Sequence, residues 1–153
     1  MTLIHETAHF RVVVPTYPHV DRREGGHLII HPRRRMVDRT ELNPEEACEL
    51  IKLTMILGQA MAEGLNERGI DVGRINYQDN GNWGVFRSDG PALHIHLYGR
   101  ARSARVQRYG QALQLPGPET GFYRNCRPLD ADDVAAIQAR IAVVAGLPKY
   151  REF

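Results

Sequence analysis

Two histidines one residue apart are the part of this sequence best suited to chemistry: His94 and His96, in Pro91-Ala-Leu-His-Ile-His-Leu-Tyr-Gly-Arg100. The pattern reads as a β-strand over Ala92 to Tyr98. Alternation then puts Ala92, His94, His96 and Tyr98 on one face and Leu93, Ile95 and Leu97 on the other. The apolar face packs on the core, and the two imidazoles stand side by side, roughly 6–7 Å apart along the strand. That arrangement suits three roles: a pair of metal ligands, a nucleophile with a proton donor beside it, or two surface histidines. Neutral imidazole is a good nucleophile toward phosphorus near neutral pH, and a second ring can protonate a leaving oxygen. A zinc site needs a third or fourth ligand in a defined geometry, which His27 or His31 would supply if the strands are adjacent. Spacing alone leaves the three roles open.

The elements that must hold these residues are legible around them. Asn43-Pro44-Glu45-Glu46 opens a helix with an N-cap, a proline at the first helical position and acids in the first turn. Ala47, Leu50, Ile51, Thr54, Leu57, Met61 and Leu65 recur at helical spacing, so this long helix runs to about Glu67, before Gly69. A second helix opens at Asp130, presents Val134, Ile137, Ile141 and Val144, and ends before Gly146 and Pro148. Strands are expected at Phe10–Val14, His27–His31, Arg74–Gln78 and Ala92–Tyr98, separated by Pro15 to Pro18, Gly25-Gly26 and Asp79-Asn80-Gly81-Asn82. The stretch from Arg100 to Arg127 is polar and reads as an extended excursion. Without a βαβ rhythm, the order predicts an α+β fold: a mainly antiparallel sheet of about five strands, one long helix and a C-terminal helix.

Composition bounds the possibilities. The 153 residues suit one domain, here 1–153, with a core over about 10–108 and a C-terminal extension over 109–153. Hydrophobic residues make up 42% and charged ones 25%, which argues against disorder. No apolar run reaches the roughly 18–20 residues of a membrane span, and the N-terminus has no signal-peptide pattern. Cys48 and Cys126 form neither a disulfide framework nor a zinc ligand set, so a reduced, cytoplasmic setting is expected. A net charge of +2 gives no reason to expect a nucleic-acid partner. Arg33-Arg34-Arg35 and the group Arg100, Arg102, Arg105 and Arg108 are either solvated surface or a local field for a phosphorylated small ligand.

With these residues in place, the sequence resembles the histidine triad (HIT) superfamily of nucleotide hydrolases and transferases. Its signature, His-φ-His-φ-His-φ-φ with φ hydrophobic, is similar to the His94–His96 segment. Gly26-His27-Leu-Ile-Ile-His-Pro-Arg33 resembles the family's Gly-His-x-Leu-Val-x-Pro-Lys/Arg strand. Leu42-Asn-Pro-Glu-Glu46 resembles its Leu-Thr-x-Glu-Glu helix start, and Ile75-Asn-Tyr-Gln-Asp-Asn-Gly81 its strand ending in a glycine turn. Residues of about 10 to 100 fit in order and spacing, and beyond Arg108 the match fades.

Two registers are open. His94 and His96 are either the first and second triad members, with Tyr98 third, or the second and third, with Ala92 first. The latter is preferred, because it brings Arg100 to the place of the family's Pro-Arg arginine. The resemblance then implies His94 as nucleophile toward a nucleotide α-phosphate, and His96 as the residue that holds phosphate oxygens or protonates the leaving group. The implied enzyme is a nucleotide hydrolase, with transfer as a variant, acting through a nucleotidyl-histidine on a nucleoside polyphosphate, dinucleoside polyphosphate or nucleoside phosphoramidate. It needs no cofactor and no metal, and pairs as a homodimer.

By the same resemblance Asn80, with Gln78 as competitor, contacts phosphate. Ser88 and Asp89 stand where the family has a Gln and a Ser/Thr, and His19 stands where it has a ribose contact. His27 either lines the pocket or is structural. Trp83 and Phe86 either stack on a base or cover the core. A triad His in the third position argues against the galactose-1-phosphate uridylyltransferase branch, an argument that lapses in the other register. The alternative function is a nucleotide-binding module with little catalysis, because Ala92 leaves the triad incomplete.

Overall fold

The computed structural model describes residues 1–151. Five strands form one sheet: β1 (Thr2–Glu6), β2 (Phe10–Val14), β3 (His27–Pro32), β4 (Val72–Asp79) and β5 (Ile95–Ala101). Their order across the sheet is β1-β2-β3-β5-β4, and every neighbouring pair is antiparallel. Two helices, α1 (Pro44–Glu67) and α2 (Ala131–Ala145), complete the α+β architecture. No helix among the described residues is long and apolar enough to cross a membrane.

Both helices begin where the capping chemistry requires. The Asn43 side chain accepts from the Glu46 amide and the Glu46 side chain accepts from the Asn43 amide, and Asp130 and Asp133 do the same for α2. Glu46 is also gripped by the Arg34 guanidinium at 2.7 Å, which holds its carboxyl down at about 2. One face of the sheet packs Phe10, Val12, Leu28, Ile30, Ile95 and Leu97 against Leu50, Leu57, Met61 and Leu65 of α1. Ile137, Ile141 and Val144 of α2 join the same core, so the C-terminal helix is part of the body of the domain and no appendage. Ile51 departs from the predicted apolar stripe and is exposed, its place taken by Leu53 and Ile56.

Two differences from the sequence reading bear on the site. A strand at Thr2–Glu6 adds the fifth member at the sheet edge. The histidine strand begins at Ile95, three residues later than the alternation suggests, because its pairing with β3 ends at Ile30–Ile95. Leu93 instead donates its amide to the Met36 carbonyl, at 2.8 Å, outside the ladder. His94 therefore sits at the mouth of the sheet, just before the strand. Behind it, Gly99 runs against Gly25: a Cβ on either residue would collide with the other's backbone, and Gly25 has φ 122°. The glycine where the resemblance leads one to expect proline is thus required by close packing.

Candidate active site

The sheet face turned away from α1 carries the chemistry. β3 sets His27 opposite Tyr98 and Ile29 opposite His96. β4 sets Gln78 on the other side of His96. A cleft of about 490 Å³ opens on this face, lined among others by His19, Asn80, Trp83, Arg87, His94 and His96. Its rim is the loop from Gly81 to Gly90, and Leu115 from the long excursion closes one side.

Hydrogen bonds assign each imidazole its proton. The backbone N–H of His19 donates to His27 Nδ1 at 3.2 Å, so that nitrogen holds a lone pair. His27 is 1% exposed, and burial holds it well below the ordinary imidazole range, so the neutral ring carries its hydrogen on Nε2. That hydrogen is donated to His96 Nδ1, 2.8 Å away. His96, 4% exposed and lowered by burial to about 3, is neutral as well and must carry its own hydrogen on Nε2. His94 differs. Its Nδ1 lies 2.7 Å from the Ala92 carbonyl oxygen, which can only accept, so Nδ1 is the N–H and Nε2 keeps the lone pair. The two rings meet edge to face, with centroids 4.6 Å apart. The cleft thus has a nucleophilic nitrogen on His94 beside an N–H donor on His96.

Other predicted residues fall into place unevenly. His19 lines the cleft, and its Nδ1 is 2.8 Å from the Tyr98 hydroxyl. Burial among aromatic neighbours pushes the Tyr98 hydroxyl above the ordinary phenol range. Asn80 and Asp89 line the cleft. Gln78 stands beside His96 in register with its Oε1 buried and without a hydrogen-bond partner, and it is not a lining residue. His27 is a support behind His96 and does not line the cleft.

Ser88, Arg100 and Phe86 stand outside the lining of the cleft. Ser88 is exposed on the loop. Arg100 is buried at the far end of β5, six residues at about 3.3 Å each from His94. Its guanidinium donates to the carbonyls of Arg108 at 2.8 Å and Gln111 at 3.0 Å, so it anchors the excursion instead of a phosphate. Phe86 is fully exposed, whereas Trp83, at 48% exposure, lies edge-on to His19 with centroids 5.4 Å apart. Arg33 and Arg34 are likewise engaged, with Glu6 and Glu46. Arg87 brings a cation to the cleft, exposed and ion-paired with Asp89 at 3.4 Å, and the sequence reading missed it because it stands alone in the loop. Tyr123, 4.8 Å from His19 between ring centroids, was also missed, since only the fold returns the excursion to this face.

His19, His27 and His96 are the group whose side-chain nitrogens, all within 4.8 Å of one another, could gather a metal ion among the described residues. His94, which spacing left open as one of a pair of metal ligands with His96, is not in it. The lone pairs on His27 Nδ1 and His96 Nδ1 are already occupied by hydrogen bonds, which an ion bound through them would have to displace.

No family model and no curated protein matches this chain. Solved structures do. A histidine triad protein from Sinorhizobium meliloti is similar over 93% of this chain and 87% of its own, at 25% identity and a TM-score of 0.54. A zinc-bound histidine triad family protein from Mycobacterium smegmatis is similar over 93% and 84%, at 20% identity and a TM-score of 0.58. A uridylyltransferase is similar over 92% of this chain and 41% of its own, at 18% identity and a TM-score of 0.54. The chain has the fold of the histidine triad superfamily.

Proposed function

We propose that the protein is a nucleotide-processing enzyme of the histidine triad type, a hydrolase that cleaves at an α-phosphate through a nucleotidyl-histidine on His94. The observation that carries this reading is the proton assignment at the cleft: Nδ1–H of His94 tied to the Ala92 carbonyl, Nε2 free, and an N–H donor of His96 beside it. The likeness in fold to a histidine triad nucleotide-binding protein from Sulfolobus tokodaii supports a nucleotide ligand.

The chemistry follows from those atoms. The Nε2 lone pair of His94 forms a bond to the α-phosphorus as the bond from phosphorus to the leaving group breaks, and the leaving group takes that electron pair. The His94 ring becomes an N-phosphorylated cation, with Nδ1–H still held by Ala92 O. Water then forms a P–O bond, the P–N bond returns its electrons to Nε2, and one proton passes to solvent with release of the nucleoside monophosphate. Arg87 on the rim and the Nε2–H of His96 face the charge that builds on the phosphate oxygens.

The two roles left open for His96 now separate. A neutral imidazole donates a hydrogen bond but is far too weak an acid to give up that hydrogen, and the backbone amide behind His27 cannot pass on a proton. His96 therefore holds phosphate oxygens. Leaving groups that depart as stable anions, such as the phosphates of nucleoside or dinucleoside polyphosphates, suit the site better than the amine of a phosphoramidate, which needs a proton.

Product analysis with a dinucleoside tetraphosphate, an adenosine phosphoramidate and a nucleoside diphosphate-sugar tests the reading. Wild type should release a nucleoside monophosphate, fastest from the tetraphosphate, and His94→Ala should abolish it while remaining folded. Turnover surviving in His94→Ala, or nucleotide binding without product in wild type, refutes it; the latter would favour a binding module. Pairing of two copies through the open edge of β4 and α1, where Tyr77, Ile51 and Met55 are exposed, belongs to the same proposal. Light scattering should then give twice the 17.3 kDa chain mass.

A further inference from the structure

A third imidazole stands against His94 and has no part in the chemistry above. β3 alternates so that Leu28 and Ile30 enter the core while His27, Ile29 and His31 face the histidine side. The register that pairs Ile29 with His96 carries His31 to the flank of His94. The two rings are stacked, with centroids 5.9 Å apart and planes 21° from parallel. Nε2 of His31 is shut off from solvent and has no hydrogen-bond partner among the described residues. An unpaired polar nitrogen is a poor filler for a strand position that an aliphatic side chain would occupy without cost, so the ring itself calls for an explanation.

Among the described residues the His94 ring has one hydrogen bond to orient it, from Nδ1 to Ala92 O. That bond fixes the direction of one ring atom and leaves rotation of the ring plane about it. Two residues before it, Ala92 offers only a methyl group, too short to stop the rotation. The face of His31 does.

We propose, resting on the reading of His94 as nucleophile, that His31 is a positioning residue: its ring sets the plane of the His94 ring, so that Nε2 meets phosphorus in line, and its neutral face lies beside the charge that ring acquires. The stack acts in both halves of the reaction. Before attack it limits the orientations of Nε2, and afterwards an uncharged π-face lies next to the N-phosphorylated cation, where a second cation would repel it. His31 is uncharged at neutral pH, because burial and the neighbouring His94 ring hold it below the ordinary imidazole range.

The test compares His31→Leu, which removes the ring face, with His31→Phe, which keeps one without nitrogen. Steady-state turnover of a dinucleoside tetraphosphate and the ¹⁵N tautomer spectrum of His94 are recorded for both, with thermal melts to score folding. Stacked aromatic pairs set the scale: His31→Leu should lower kcat roughly five- to tenfold with KM within about twofold, while His31→Phe stays within about threefold of wild type. Without the His31 face the His94 ring swings far enough to leave Ala92 O for part of the time, so its single Nδ1–H tautomer should average out in His31→Leu and persist in His31→Phe. A folded His31→Leu with wild-type kcat and an unaveraged His94 tautomer overturns the inference, as does a loss of melting temperature alone, which would make His31 packing only. Should wild type turn over none of the substrates, the tautomer spectra still decide: averaging confined to the Leu variant keeps the positioning role while the enzymatic reading falls.

Discussion

Replacing His27 tests the proton assignment at its root. His27→Leu keeps side-chain bulk on β3 but removes two hydrogen bonds, from the His19 amide at 3.2 Å and to His96 Nδ1 at 2.8 Å. Both partners are left without a mate in the interior, each at a cost of about 1–3 kcal/mol, so the variant should lose about 4 kcal/mol of stability. For a chain of this length that lowers the melting temperature by roughly 10 °C. Function should fall further than stability suggests. Freed of its donor, His96 is no longer held with hydrogen on Nε2, and in the other tautomer it turns a lone pair toward an anionic phosphate. Loss of one oriented donor to the transition state costs about 10²–10³ in kcat, and the lower end is expected here because part of the population keeps the right tautomer. His27→Gln returns a donor near the position of Nε2 and should recover most of the turnover and part of the stability. Nucleoside monophosphate release at saturating substrate, at a temperature where melts show all three proteins folded, measures it. A folded Leu variant with wild-type kcat, or a Gln variant as impaired as Leu, would refute the reasoning.

Two further outcomes follow from the same contacts. Acid should destabilise the fold in two stages. His27 and His96 take up protons in the unfolded chain as pH falls through the ordinary value of 6.5 but in the folded chain only far lower, near 3 for His96, so their contribution is complete above about 6.5 and is lost on acidification below it. Glu46, held at about 2 by Arg34, and Asp133, lowered by its contacts with Arg22, then lose theirs as pH falls below the ordinary carboxylate range; urea titrations at pH 7.5, 5.5 and 4 check both stages, and a flat profile between the first two would contradict the histidine assignment. Arg100→Met should loosen the segment around residues 107 to 111, which its guanidinium holds, and speed proteolysis there while leaving KM for nucleotide within about twofold; a large rise in KM with the segment still protected would restore Arg100 to the phosphate.

The limits of α1 were legible because a helix start is written in local chemistry: Asn43, Pro44 and Glu46 satisfy their own backbone groups whatever surrounds them. The start of β5 was not, since a strand extends only as far as its pairing, and Ala92-Leu-His keeps alternating where the ladder with β3 has already stopped at Ile30–Ile95. β1 escaped notice for the same reason, a short edge strand defined by its pairing with β2. Charge misled in a comparable way. Arg100 sits in a basic run and Arg87 stands alone, yet the first is spent on backbone carbonyls and the second lines the cleft. Residue type announces a guanidinium; only burial and partners say what it serves.

The division of labour between the two histidines rests on an atom that residue-type reasoning passes over. Spacing and resemblance put His94 and His96 together and left His96 as either acid or clamp. In the reading proposed above, the backbone N–H of His19 favours the clamp, because it occupies His27 Nδ1 and so passes one proton arrangement to His27 and then to His96. A side chain at position 19 contributes a wall to the cleft, but its amide would be there with any residue other than proline. His19→Ala should therefore alter nucleotide affinity and leave the His96 tautomer intact, while His19→Pro, lacking the amide, should release it. Had the tautomer followed the side chain instead, the ordering of these two variants in a ¹⁵N spectrum would be reversed.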